Sequence, residues 1–511
     1  MRCTFPKPGG LAGSWLHRLL CRECRIHAGV DRIIALGTVC LRADPAPGDG
    51  LAGVLRAVGL DVDPELGAVI RRRRFARRAR TSIVLSVAGL VGLGGGWLWW
   101  IDRDPGVTVP TPAMPAVNAY RYFAAAAASL TDARQISDAF ANMPRQSSAS
   151  AAGLGAGPTG EQVYTAADKA SLVARNARAL KLIREGLQTP YTAPPVRSFS
   201  TLLPYYADYR NLARLLALEA QVRKDRGDAK GAMASCLDAI QFGRHVQHGA
   251  VLIGKLVGMS CEAVGRSAAW KIVDALSGEE ARWAAHRLGA ICEERVPISE
   301  TLEEEKRMGT AGLLEIMHRR AWRLGIGRDV FGASSDSAGV GLGWFAMTLP
   351  YSKGAIVRTY QANMDRCIEL AQQPYAVQRS RSPVFEPTDP INRVLAPVFS
   401  QAGFQDIENE TQNALLQATL ALRAYRAEHG RYPAALRELT PRYLQRVPVS
   451  AFDAGELAYH RKGDGYVLYS VGPDGVDGGG APAVNPNAQG ESNRLIVSPD
   501  SVGDIVAGVN R

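Results

Sequence analysis

The sequence predicts a mainly α-helical protein with one membrane-spanning helix, an α-helical body and a small α+β domain at the C-terminus. Three observations predict it. An uncharged stretch from Thr81 to Ile101 follows a block of arginines. Apolar residues recur at helical spacing between Asn118 and Gln372. After Asp406 a further helical pattern gives way to short alternating segments around a Gly-Asp turn. The expected organisation is a cytoplasmic segment (1–70), a basic flank and transmembrane helix (71–101), a proline-rich stalk (102–117), a helical domain (118–372), a proline-rich linker (373–405) and an α+β domain (406–511).

At a rise of about 1.5 Å per residue, the uncharged stretch makes a helix about 31 Å long, the thickness of a hydrocarbon core. Arg71 to Arg74, Arg77, Arg78 and Arg80 abut one end, and Trp97, Trp99 and Trp100 stand at the other. A basic block is retained on the cytoplasmic side and indole rings settle at an interface, so the N-terminus is expected inside. A buried core helix matches seven adjacent arginines poorly. A removable secretion signal is opposed by the 80-residue lead and by the lack of an Ala-x-Ala site. The Gly92/Gly96 spacing permits close approach of a second helix.

Before Thr81 there are 15 Lys plus Arg against 7 Asp plus Glu, a net of +8 out of the whole chain's +11. The remainder is nearly neutral, so the basic pI does not point to nucleic acid. With 511 residues, 46% hydrophobic and 21% charged, the chain has enough apolar material for two or three cores and is not of disordered composition. Cys236, Cys261, Cys292 and Cys367 follow the membrane stretch singly, and their spacing leaves buried thiols and disulfides equally open.

In the N-terminal segment His17, Cys21 and Cys24 form His-x3-Cys-x2-Cys, which on a helix brings an imidazole one turn before a thiolate pair, as zinc requires. Cys3 or His27 would supply the fourth ligand. The motif, the Asp44-Pro45-Ala46-Pro47-Gly48 spacer and the membrane stretch come in an order that resembles the zinc-binding anti-sigma factors of bacteria. That resemblance implies zinc and a sigma factor as cytoplasmic partner. In that family the first ligand lies more than twenty residues ahead of the histidine, whereas Cys3 lies fourteen ahead.

Beyond the stalk prolines Pro105, Pro110, Pro112 and Pro115, helical periodicity dominates, as in Leu172, Val173, Ala177, Leu180, Ile183 and Leu187. Leu218 to Ile240, with Gly227-Asp228 at its turn, resembles a tetratricopeptide-type hairpin, and an ordinary helical hairpin is the alternative. Gly325 to Gly343 is expected to be a flexible surface loop. His245 and His248 are expected on a solvated helix face, and Glu303, Glu304 and Glu305 on a charged surface. No Gly-x-Ser-x-Gly, Walker lysine or His-Glu-x-x-His occurs.

Past the five prolines between Pro374 and Pro397, an amphipathic helix from Asp406 ends at Gly430, a C-terminal cap. Leu457 to Arg461 and Tyr466 to Ser470 alternate around Lys462-Gly463-Asp464-Gly465, an antiparallel hairpin. Ala421 to Pro433, Leu436-x-x-Leu439 and Tyr469 to Gly475 together resemble the globular part of the major pseudopilin of type II secretion systems, over about a hundred residues. The resemblance implies a calcium ion in the loop after the hairpin, with Asp474 and Asp504 at matching positions and Asp477 a further candidate; Gly478 to Pro482 replaces that family's acidic cluster. A pseudopilin has its hydrophobic helix contiguous with the globular helix. Here about three hundred residues intervene, which excludes the usual polymerisation.

The function expected on these grounds is that of a non-enzymatic, single-pass envelope protein whose outer domains contact envelope or secretion-system proteins. The alternative is a transmembrane anti-sigma-type regulator, which requires zinc and sigma-factor capture by the 1–70 segment.

Overall fold

The computed structural model describes residues 64–142, 164–319, 322–325, 338–381, 389–395, 399–488, 490 and 493–510. The chain forms two compact units, residues 1–99 and 100–511. In the first, the described residues make one helix, α1 (Pro64–Ile101), which runs into the start of the second. Its stretch Arg80–Ile101 is long and apolar enough to cross a membrane, with a mean hydropathy of 1.6 and side chains exposed from Arg80 to Trp100. Leu90, Val91 and Leu93 are each more than two-thirds exposed.

The second unit is mainly helical. Its described helices are α2 (Tyr120–Ala128), α3 (Ala133–Ala141), α4 (Ala166–Arg175), α5 (Ala177–Gly186), α6 (Tyr205–Asp225), α7 (Ala229–Gln247), α8 (Leu252–Trp270), α9 (Gly278–Glu293), α10 (Ile298–His318), α11 (Ala338–Thr348), α12 (Lys353–Ala371), α13 (Tyr375–Ser380), α14 (Pro390–Leu395) and α15 (Phe399–His429). Three strands close the chain: β1 (Ala458–Lys462), β2 (Gly465–Ser470) and β3 (Ile505–Val506).

Local chemistry sets several ends. Ser277 and Glu280 cap α9 reciprocally, as Thr165 and Asp168 cap α4. Between α6 and α7, Gly227 turns the chain at φ +81°, and Asp228 accepts from the Gly231 amide to start α7. The two helices form a helical hairpin. Gly430, at φ +72°, stops α15 where the sequence places the cap.

Strands β1 and β2 pair antiparallel in the register Ala458↔Tyr469 to Lys462↔Gly465, and β3 adds antiparallel to β2. Leu468 and Ile505 of this sheet share one core with Leu416, Ala421 and Leu422 of α15 and with Cys236, Ile240, Ala284 and Leu288 of α7 and α9. The expected boundary at 405/406 therefore falls inside a helix that begins at Phe399, and packing continues across it. A second core gathers Phe123, Ile183, Tyr209, Leu216 and Phe242; a third gathers Leu302, Leu313, Ile356, Tyr360 and Met364.

Three expectations are corrected. The surface loop expected up to Gly343 is helix α11 from Ala338 onward. The helix forms there despite the glycines at 339, 341 and 343. His245 is buried against Phe123, their ring centroids 6.1 Å apart, because α7 is enclosed on both sides. Of the three glutamates expected on a surface, Glu305 is turned inward and accepts from the Leu252 amide at 2.8 Å. It satisfies the first turn of α8, which the preceding Val251 cannot cap. Glu304 is buried between Arg197 and Arg307 at 2.6 and 3.0 Å.

Candidate functional site

Helix α8 carries only three charges, Lys255, Glu262 and Arg266, spaced i, i+7, i+11 on one face. That face points inward. The exposed stripe is the uncharged Ile253, Ser260, Ala263 and Ser267. What lets α8 come so close to α7 is glycine: a Cβ on Gly243 would stand 2.5 Å from the Gly258 carbonyl oxygen, and one on Gly265 2.7 Å from that of Cys236.

Against this face lies the amino half of α15, whose polar residues meet the charges one by one. The Lys255 ammonium stands 2.7 Å from Asp406 and donates to Gln247 at 3.0 Å and to the Val296 carbonyl at 2.6 Å. Arg244 of α7 grips Glu410 with both terminal nitrogens, at 2.5 and 3.3 Å, and lies 3.4 Å from Glu262. Glu262 also accepts from the side-chain amides of Asn409 (3.1 Å), Asn413 (2.7 Å) and Gln247. Arg266 donates to both asparagines at 2.9 Å. Arg244, Lys255, Glu262 and Asp406 are entirely out of solvent.

Burial opposes the charge on Arg244, but Glu262 and Glu410 outweigh it and hold the guanidinium above its ordinary range. Burial likewise opposes the Asp406 carboxylate, and Lys255 and Arg295 together hold it below its usual value.

Asp406 and Glu410 are among the residues around a cleft of about 760 Å³. Its walls are the end of α9 (His286, Cys292), Arg295, the α12–α13 junction (Gln373, Tyr375) and the segment from Gln445 to Ala451. Arg295 pairs with Asp406 at 3.0 Å, and the His286 Nε2 lies 3.0 Å from the Arg442 carbonyl oxygen. Burial pushes the Cys292 thiol up to about 12, so it is a poor nucleophile at neutral pH. Cys236, Cys261, Cys292 and Cys367 are all free thiols.

Each of the three aspartates of the C-terminal loop is held by the loop's own donors. Asp504 accepts from the Gly478 and Gly480 amides at 3.2 and 2.7 Å. Asp474 accepts from Val476 and Gly503 at 3.1 and 2.8 Å, and Asp477 from Gly479 and the Tyr469 hydroxyl, both at 2.9 Å. Calcium wants six to eight converging oxygens. Here backbone amides and the Tyr469 hydroxyl are the partners of those oxygens. Among the described residues no three His, Cys, Asp or Glu side chains gather as a metal-ligand set. His17, Cys21, Cys24 and Cys3, the expected zinc ligands, lie outside the described residues.

His245 is held down to about 4, by burial first and then by His248. Because this lies below the ordinary 6.5, the folded state binds fewer protons than the unfolded chain between the two values. Its contribution is complete above pH 6.5 and is lost as pH falls towards 4. The expected loss between pH 7 and pH 5 is about 2 kcal/mol. Urea midpoints at the two pH values should show it, and His245→Gln should flatten the difference; an equal slope in the variant would remove His245 as its origin.

No protein-family profile, no curated protein and no solved structure matches the chain.

Proposed function

We propose that this chain is a non-enzymatic, membrane-tethered platform of the bacterial envelope whose outer unit binds an envelope or secretion-system protein through the cleft between α9, α15 and the Gln445–Ala451 segment. The carrying observation is how the cleft's chemistry is spent. Asp406 is committed to Lys255 and Arg295, and Glu410 to Arg244, so the paired carboxylates act as structural ion pairs rather than as a free acid and base. A cleft of this size with its carboxylates neutralised and with Val447, Pro448 and Tyr375 in its lining suits a partner's side chains.

Two further facts support the reading. The exposed apolar stretch Arg80–Ile101 suits an anchor, and the arginine block suits an N-terminus that stays inside. The helix that resembles the pseudopilin helix is sealed into the body along its amino half, so the C-terminal sheet is presented from a fixed base rather than from a filament.

Ala414→Trp fills the cleft from α15. Retention of an envelope partner on the full-length protein, purified in mild detergent, is expected to fall about tenfold or more, as for loss of a buried interface anchor, with the melting temperature preserved. Unchanged retention would reject the cleft as the binding surface. Digestion of a tag at residue 1 by protease added to intact spheroplasts would reject the topology.

A further inference from the structure

Helix α11 has an inverted surface. Trp344 and Thr348, one turn apart, face inward, Trp344 packing on the third core and Thr348 fully buried. The outward face is Gly343, Ala346 and Met347, then Pro350 just past the helix, all exposed and all apolar. Met347 is 53% exposed, and nothing lies within 4 Å of where a Gly343 Cβ would stand. A surface helix ordinarily turns its polar side to water, and one without a polar side belongs in a protein core or in lipid.

The position of α11 in the chain's connectivity says which. Arg323, almost wholly buried, donates through Nε and Nη2 to the Asp102 carboxylate at 3.1 and 2.9 Å. The same guanidinium donates to the Thr348 carbonyl, the last of α11, and to the Tyr351 carbonyl at 2.9 Å. Trp322 adds its indole N–H to Asp102 at 3.2 Å, and its ring lies under the guanidinium with the centroid 4.4 Å away. One cation thus ties the carboxyl end of α11 to the residue that directly follows Ile101, where the apolar stretch of α1 ends. A cation is well placed there, on the negative end of a helix and beside a carboxylate.

We infer that α11 is a second membrane contact, an interfacial helix whose Gly343–Ala346–Met347 face lies in lipid at the outer boundary of the anchor. This rests on the anchoring reading above. At eleven residues the helix is about 16 Å long, half of a hydrocarbon core, so it lies in the interface rather than crossing it. The Arg323 clamp keeps it at the depth of residue 102.

The full-length protein, reconstituted in vesicles of phosphatidylethanolamine and phosphatidylglycerol, tests this with the photoreactive residue p-benzoylphenylalanine placed at Met347, at Leu90 or at the exposed Lys462. Lipid adducts from position 347 are expected about tenfold above those from position 462, the contrast between acyl chains and water. Adducts at 90 without adducts at 347, or adducts from 347 to a protein instead of lipid, overturn the inference and leave the anchor standing. Absence of lipid adducts at both 90 and 347 overturns the inference and the anchor together.

Discussion

Arg244→Met is expected to cost about 3 to 5 kcal/mol of stability, the penalty for leaving a buried charge without its partner. Arg244 is entirely buried and holds Glu410 with two hydrogen bonds. Glu262, its other carboxylate neighbour, keeps three side-chain amide donors when the guanidinium is gone. Glu410 is therefore the group stranded, and Arg244→Met/Glu410→Gln should recover most of the loss. The measurement is the denaturant midpoint of the full-length protein in detergent for the two variants and the parent. If the double variant were as unstable as the single one, the cost would lie in lost side-chain volume rather than in charge.

The residues behind that prediction were only half legible. The amphipathic pattern of α15 is plain in the sequence, and so is its cap at Gly430. The pattern gives a period, however, and not the identity of what faces the polar side. Asp406, Asn409, Glu410 and Asn413 lie on the polar side, whose usual partner is water. Here the partner is α8, a helix with its charges inside and its uncharged residues outside. A signal was available: Lys255, Glu262 and Arg266 share one face of an otherwise uncharged nineteen-residue helix, which marks a buried polar seam.

The histidines and glutamates went astray for a related reason. His245 and Glu305 are polar residues in helical sequence, and only a neighbouring element decides whether they meet water. Glu305 is inside because the α8 amide at Leu252 needs an acceptor, a demand created about fifty residues away in the chain. The short β-hairpin was legible to within a residue or two because Gly463-Asp464 sets its turn and alternation sets its register, both local properties. The 405/406 boundary did not survive as a gap in packing, since prolines report stiffness of the chain and not the end of a core.

Gly243→Val should be at least as damaging as Arg244→Met, and by a different route. The Cβ of a residue at 243 would stand 2.5 Å from the Gly258 carbonyl oxygen and 2.7 Å from the Glu262 amide nitrogen. Both are main-chain atoms of α8, so no side-chain rotation relieves the clash and the two helices must separate. Overpacking of a core ordinarily costs about 1 to 3 kcal/mol where side chains can shift. Here the separation also carries Lys255 and Glu262 away from Gln247 and Arg244, so the buried charges lose partners at the same moment. The expected outcome is a full-length protein whose outer unit is cut by protease under conditions where the parent resists. Gly227→Ala, in the exposed turn between α6 and α7 with open space around it, should by contrast cost only the strain of φ +81° and leave that resistance intact. Equal resistance in Gly243→Val and the parent would mean that α7 and α8 do not cross in contact, and the buried seam between α8 and α15 would then need another scaffold.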